Sequence, residues 1–116
     1  MMVNKKKRRV RYLLDPLPIR LGELAATFGR ISSSARKFLD PVTVRDALEE
    51  AKYFIEWTAA DTEPEIASEL VAMQTQINLW LRAWEKTHQL REQRTLLSVH
   101  AKHWSDCALD FSGLAR

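Results

Sequence analysis

Six large apolar residues, Ile66, Leu70, Met73, Ile77, Trp80 and Trp84, follow one another at spacings of four, three, four, three and four. That rhythm puts all six on one stripe of an α-helix. Residues 70–81, in the same stretch, hold no charged side chain. A helix with so uncharged a middle is expected to be shielded on more than its striped face, and therefore to sit at the centre of the fold. The charge-free run spans 12 residues, too few to cross a bilayer, which takes about 20.

Three other stretches repeat the pattern. Leu17, Leu21, Leu24, Phe28, Ile31, Ala35 and Phe38 predict a helix over residues 18–37. Val44, Leu48, Ala51, Ile55 and Thr58 predict one over 42–60, and Leu97, Ala101, Trp104, Ala108 and Phe111 one over 92–111. The connections carry matching punctuation. Asp40 or Thr43 can cap the second helix around Pro41. Thr62 and Glu65 have capping-box spacing ahead of the third, with Pro64 in its first turn. Residues 88–91 contain no proline or glycine, leaving turn and continuation both open, while Ser112 and Gly113 read as a stop. The expectation is an all-α fold, an antiparallel helical bundle of about four helices with a basic N-terminal arm. With 116 residues the chain makes one domain, able to remove roughly two-thirds of its unfolded surface from water.

The arm is expected to occupy residues 1–15 and the bundle 16–116. Lys5, Lys6, Lys7, Arg8 and Arg9 are adjacent and Arg11 follows. Five neighbouring cations repel one another, so a mobile segment is the default. Asp15, Pro16, Leu17 and Pro18 mark its end, because a residue before proline is pushed from the helical region. Residues 1–45 hold eleven Lys/Arg against three Asp/Glu, and residues 46–116 seven against twelve. The basic segment is then either solvated, or laid against acidic helices of its own or a neighbouring copy, or used to hold anions. For the last reading the contact set is Lys5, Lys6, Lys7, Arg8, Arg9, Arg11, Arg20, Arg30, Arg36 and Lys37, with Tyr12 able to stack on a base. No zinc finger or RNA-recognition signature accompanies it. An anionic membrane is a lesser alternative, since the sequence offers no apolar anchor beside the lysines.

Two features suggest protein contact. Gly22, Ala26, Gly29 and Ser33 form a stripe of small residues. Two glycines in a helix cost up to about 1 kcal/mol each relative to alanine, so either another backbone approaches there or the helix breaks near Gly29 or the following serines. Tyr53 and Trp57, four apart, stand among Asp46, Glu49, Glu50 and Glu56. This pair is a contact site for a partner, unless the helix is covered on both sides within the bundle.

Chemistry is thinly represented. His100, His103 and Cys107 share one helical flank and make a weak metal candidate, with no second His/Cys cluster to complete it. A cysteine at the edge of an apolar stripe ordinarily serves as a small hydrophobe. No catalytic residue is assigned, the three glycines form no phosphate loop, and no cofactor is expected. The single cysteine precludes an internal disulfide and fits a reducing compartment. No apolar segment follows the basic start as a secretory signal would require, so a cytoplasmic protein is expected.

The phrases FIEWTAADTEPEIASELV (residues 54–71) and QRTLLSVHAKHWSDCALDFSGL (residues 93–114) resemble a family of small helical bacterial, cyanobacterial proteins of uncharacterised activity. The resemblance covers the C-terminal two-thirds and implies no activity. In size and charge the chain is also similar to the small basic helical subunits of RNA-guided effector complexes, with no shared motif. The leading expectation is a non-enzymatic protein-interaction module, self-associating or a small subunit of a larger assembly. The alternative is a nucleic-acid-binding accessory subunit acting through the basic arm.

Overall fold

The computed structural model describes residues 5–37 and 40–114. Five α-helices account for most of them: α1 (Lys5–Leu14), α2 (Leu17–Arg36), α3 (Pro41–Thr58), α4 (Pro64–Thr87) and α5 (Arg91–Ser112). A single 3₁₀ turn, Ala59–Asp61, joins α3 to α4. The fold is an all-α bundle, with five helices where the apolar stripes foretold about four. The addition is the basic segment itself, which is helical from Lys5 instead of an unstructured arm. Its cations are drawn onto acidic and aromatic side chains of α3, which offsets their mutual repulsion.

Local chemistry sets the helix ends. Pro18 lies in the first turn of α2, where its missing N–H goes unneeded. Asp40 caps α3 by accepting the Val42 N–H at 2.9 Å. The capping box expected of Thr62 and Glu65 does not form. The Thr62 hydroxyl instead donates back to the Ala59 carbonyl at 2.7 Å, and Glu63 stands at the start of α4. Residues 88–90 make a turn, closed by the Leu90 N–H on the Thr87 carbonyl at 3.0 Å. Gly113 ends α5 at φ 74°, a left-handed conformation that glycine adopts without penalty.

The centre of the bundle is α2. Leu21, Leu24, Phe28, Ile31 and Ala35 are wholly buried on it, and the helix packs against α5 on one side and α3 on the other. Phe38, the last residue of the expected stripe, lies outside the described residues. Val44, Leu48, Ala51 and Ile55 of α3 complete the core, with Leu97, Ala101 and Ala108 of α5 and Leu70 and Ile77 of α4. The expectation of a central, many-sided α4 is therefore corrected. That helix packs mainly on α3 and only lightly on α5, and its Val71 and Leu79 are exposed. Its charge-free run meets solvent through Thr75, Gln76 and other uncharged groups; lack of charge is not the same as burial.

Candidate interaction surfaces

Aromatic rings join α1 to α3. Tyr12 stacks on Phe54 with ring centroids 4.1 Å apart and an interplanar angle of 4°, and Trp57 closes against both at 5.9 and 6.0 Å. The Tyr12 hydroxyl donates to the Arg20 carbonyl at 2.8 Å and accepts from the Thr58 hydroxyl at 3.0 Å. Burial pushes its pKa up to about 12, against the lowering effects of the Thr58 hydrogen bond and the Arg20 charge. The Lys5 ammonium lies over Tyr53, 4.2 Å from the ring centroid, and Arg8 lies over Phe54 at 5.9 Å while pairing with Glu50. Tyr53 stacks on Trp57 at 5.8 Å. The aromatic pair expected to meet a partner thus meets the chain's own first helix.

Glu50 is the hub beneath α1. Besides Arg8 it pairs with Arg30 at 2.6 Å and accepts from the Thr27 hydroxyl at 3.1 Å. Partial burial, followed by the charges of Asp15 and Glu50, raises the pKa of nearby Glu23. Between α1, α2 and α3 remains a cleft of about 470 Å³ with Arg30, Ser33, Asp46, Glu49, Tyr53 and Trp57 in its walls. Its charge is mixed.

The expected anion contacts divide accordingly. Lys5, Arg8 and Arg30 are engaged around Tyr53 and Glu50. Arg20 is buried, donating to the Asp15 carbonyl at 3.1 Å and to Asp61 at 3.0 Å. Tyr12 is buried too, which removes it as a stacking platform. Arg36 reaches the Ser98 hydroxyl at 3.4 Å, and Lys37 is exposed. Lys6, Lys7, Arg9 and Arg11 are exposed, and no ion pair among the described residues engages them.

The small-residue stripe also splits. Ala26 and Ser33 are exposed, whereas Gly22 and Gly29 lie toward α5, near Leu114 and Ser105. Helix α2 runs unbroken through Gly29 and the serines. Facing it, α5 carries Ser98, Ala101, Ser105, Ala108 and Ser112, at spacings of three, four, three and four. The Ser105 hydroxyl donates to the Ala25 carbonyl at 2.8 Å, and Ser32 and Ser98 each donate to the other's carbonyl at 2.8 Å. Such bonds require closely spaced backbones. Arg94 closes the end of this seam. It is 3% exposed, donates to the Ser34 and Ala35 carbonyls at 3.4 and 3.3 Å, and faces the Trp84 ring at 5.7 Å. Trp84 in turn donates to the Pro41 carbonyl at 2.8 Å. Neither Arg94 nor the serines of α5 stood out in the sequence, where polar side chains default to the surface; the regular spacing of small residues on α5 was the available signal.

His100, His103 and Cys107 do not converge. His100 packs between Trp80 and Trp104, with ring centroids 6.4 and 6.1 Å away, while His103 and Cys107 approach each other at 3.6 Å. Among the described residues no group of three or more His, Cys, Asp or Glu is placed to hold a metal ion. Burial, then the charges of Glu69, Asp106 and Asp110, raises the Cys107 pKa and keeps it a thiol.

The gap between α4 and α5 is of another kind. A groove of about 450 Å³ is walled by Gln76, Leu79, Trp80, Ala83, Gln93 and His100, and no Asp, Glu, Lys or Arg lines it. Leu79 is 57% exposed, and Val99 of α5 is 61% exposed. No helix among the described residues is long and apolar enough to cross a membrane. Comparison with protein-family models, curated proteins and solved structures finds no match for the chain.

Proposed function

We propose that the chain is a non-enzymatic helical interaction module that binds protein through the α4–α5 groove, either a second copy of itself or a subunit of a larger assembly. In this reading α4 and α5 form an antiparallel pair. Trp80 lies beside His100, and Trp84, later in α4, lies beside Arg94, earlier in α5. One observation carries the proposal: Leu79, Trp80 and Ala83 line the groove with no charged residue among them, and Leu79 is 57% exposed. Depletion of charge at the centre of a patch, with aliphatic and tryptophan side chains in its place, is the compositional mark of an interface core.

The test combines light scattering with partner capture, on the full chain and on a Leu79→Glu, Ala83→Glu variant. Both positions are exposed, so folding stability should change by no more than about 0.5 kcal/mol. Association, or retention of the captured partner, should be lost. A wild-type chain that stays strictly monomeric at high concentration and captures no partner would overturn the proposal.

A further inference from the structure

Helix α1 has two faces of different character. Lys5, Arg8 and Tyr12, at spacings of three and four, are taken up by α3. On the opposite face Lys7, Val10 and Leu14 repeat those spacings, and Lys6 lies one turn before Val10. Val10 is 61% and Leu14 78% exposed, a crest of aliphatic side chain on an otherwise cationic helix. Lys6, Lys7, Arg9 and Arg11 surround it, with no ion pair among the described residues. Immediately beyond α1 in the chain, Pro16, Pro18 and Ile19 are exposed as well. Of the acidic groups near this helix, Glu50 is committed to Arg8 and Arg30 and Asp61 to Arg20, while Asp15 and Glu23 line a cleft beside Arg11 and Tyr12, away from the Val10 and Leu14 crest.

A phosphate backbone would satisfy the four cations and leave Val10 and Leu14 in water. An anionic bilayer satisfies both, since its headgroups attract the cations while aliphatic tips enter the acyl boundary. Tyr12, the aromatic residue of α1, is turned inward and cannot stack on a base. We infer that the outward face of α1 is a docking surface for an anionic lipid bilayer, with Val10 and Leu14 inserted between headgroups held by Lys6, Lys7, Arg9 and Arg11. The helix lies along the surface, and the bundle behind it remains folded, with the α4–α5 groove on separate helices.

Vesicle flotation tests this with the full chain. It should bind vesicles of phosphatidylcholine and phosphatidylserine in equal parts, fail to bind phosphatidylcholine alone, and bind less as salt rises. Near such a surface each cation is worth about fivefold in partitioning, so Lys6→Ala with Lys7→Ala should weaken binding roughly 25-fold. Val10→Ser with Leu14→Ser, which leaves every charge in place, should weaken it about tenfold. All four positions are exposed, and an unchanged thermal melt verifies the fold. Absence of binding to the mixed vesicles overturns the inference. So does full-strength binding by the Val10→Ser, Leu14→Ser variant; oligonucleotide binding by the wild-type chain without binding to the mixed vesicles would assign the cations to nucleic acid instead.

Discussion

Helix α5 has two long neighbours and meets them in opposite ways. Toward α2 it presents Ser98, Ala101, Ser105 and Ala108, and hydroxyl groups bond directly to carbonyls across the seam. Toward α4 it presents His100, while α4 offers Trp80, and a groove is left between them. Both contacts lie on the same helix, so propensity and length do not explain the difference. Side-chain volume at the seam does, because helix separation follows the size of the residues between the axes. Small residues on both helices bring the backbones together along one contact, beside the Phe28–Trp104 ring pair. Rings on both hold the other open and leave apolar surface exposed.

The same substitution on the two sides should therefore have unlike effects. Ala101 and Ala108 have no accessible surface, so Ala101→Leu or Ala108→Leu must push α2 and α5 apart, at about 1–3 kcal/mol each in urea denaturation. Ala83→Leu, in the wall of the groove, has open space and should change stability by less than about 0.5 kcal/mol. Equal losses at the two sites would break the contrast. Next in size is Arg94→Met, which keeps much of the side chain's length but removes the donors to the Ser34 and Ala35 carbonyls. Losing both donors at so buried a position should cost about 1–3 kcal/mol, read from the same denaturation curves.

The attachment of α1 is smaller, and one hydroxyl contributes two hydrogen bonds to it. Tyr12→Phe keeps the ring stack on Phe54 but strips partners from Thr58 and the Arg20 carbonyl, for an expected loss of about 1 kcal/mol at neutral pH. The pH dependence has a definite sign. An unfolded tyrosine gives up its proton near pH 10, while folded Tyr12 keeps its own to about 12. Stability from this group is intact below pH 10 and falls as pH rises from 10 through about 12, where the unfolded chain binds fewer protons. Alkaline denaturation followed by circular dichroism should show this fall in the wild type and a shallower one in Tyr12→Phe.

Much of the helical framework could be read from the chain because its signals are local. Proline, a cap at Asp40 or Thr43, Gly113 and the apolar stripes place the ends of α2, α3 and α5 to within two residues of those observed, whereas the sequence leaves the end of α4 open between a turn and a continuation at residues 88–91. What escaped was tertiary. Helix α1 is unfavourable by its own charges and needs Glu50, Tyr53 and Phe54, more than forty positions away, to offset them. Tyr53 and Trp57 were legible as a contact, but spacing alone could not say that the partner is the same chain. The glycine stripe was read one residue out of phase. Gly22 and Gly29 belong to the seam, but their companions there are Ala25 and Ser32, whereas Ala26 and Ser33 lie about 100° further round the helix. Only the matching small residues on α5 distinguish the two phases.

That phase can be tested at the glycines, where the smallest effects are expected. A Cβ added at Gly29 would come no closer than 3.9 Å to any neighbour, the Ser105 hydroxyl, which is ordinary contact. Gly29→Ala should therefore collect the helix-propensity gain, about 0.5–1 kcal/mol of added stability. At Gly22 the new methyl would lie 3.0 Å from a terminal carbon of Leu114, which must shift. Leu114 is exposed and this end of its side chain is flexible, so Gly22→Ala should come out near neutral, the propensity gain offset by the displacement. Urea denaturation of the two variants side by side measures the difference. A loss at Gly29 would mean that the backbones lie closer at mid-seam than a methyl group allows, and would move the tightest point of the α2–α5 contact from its Gly22 end to its middle.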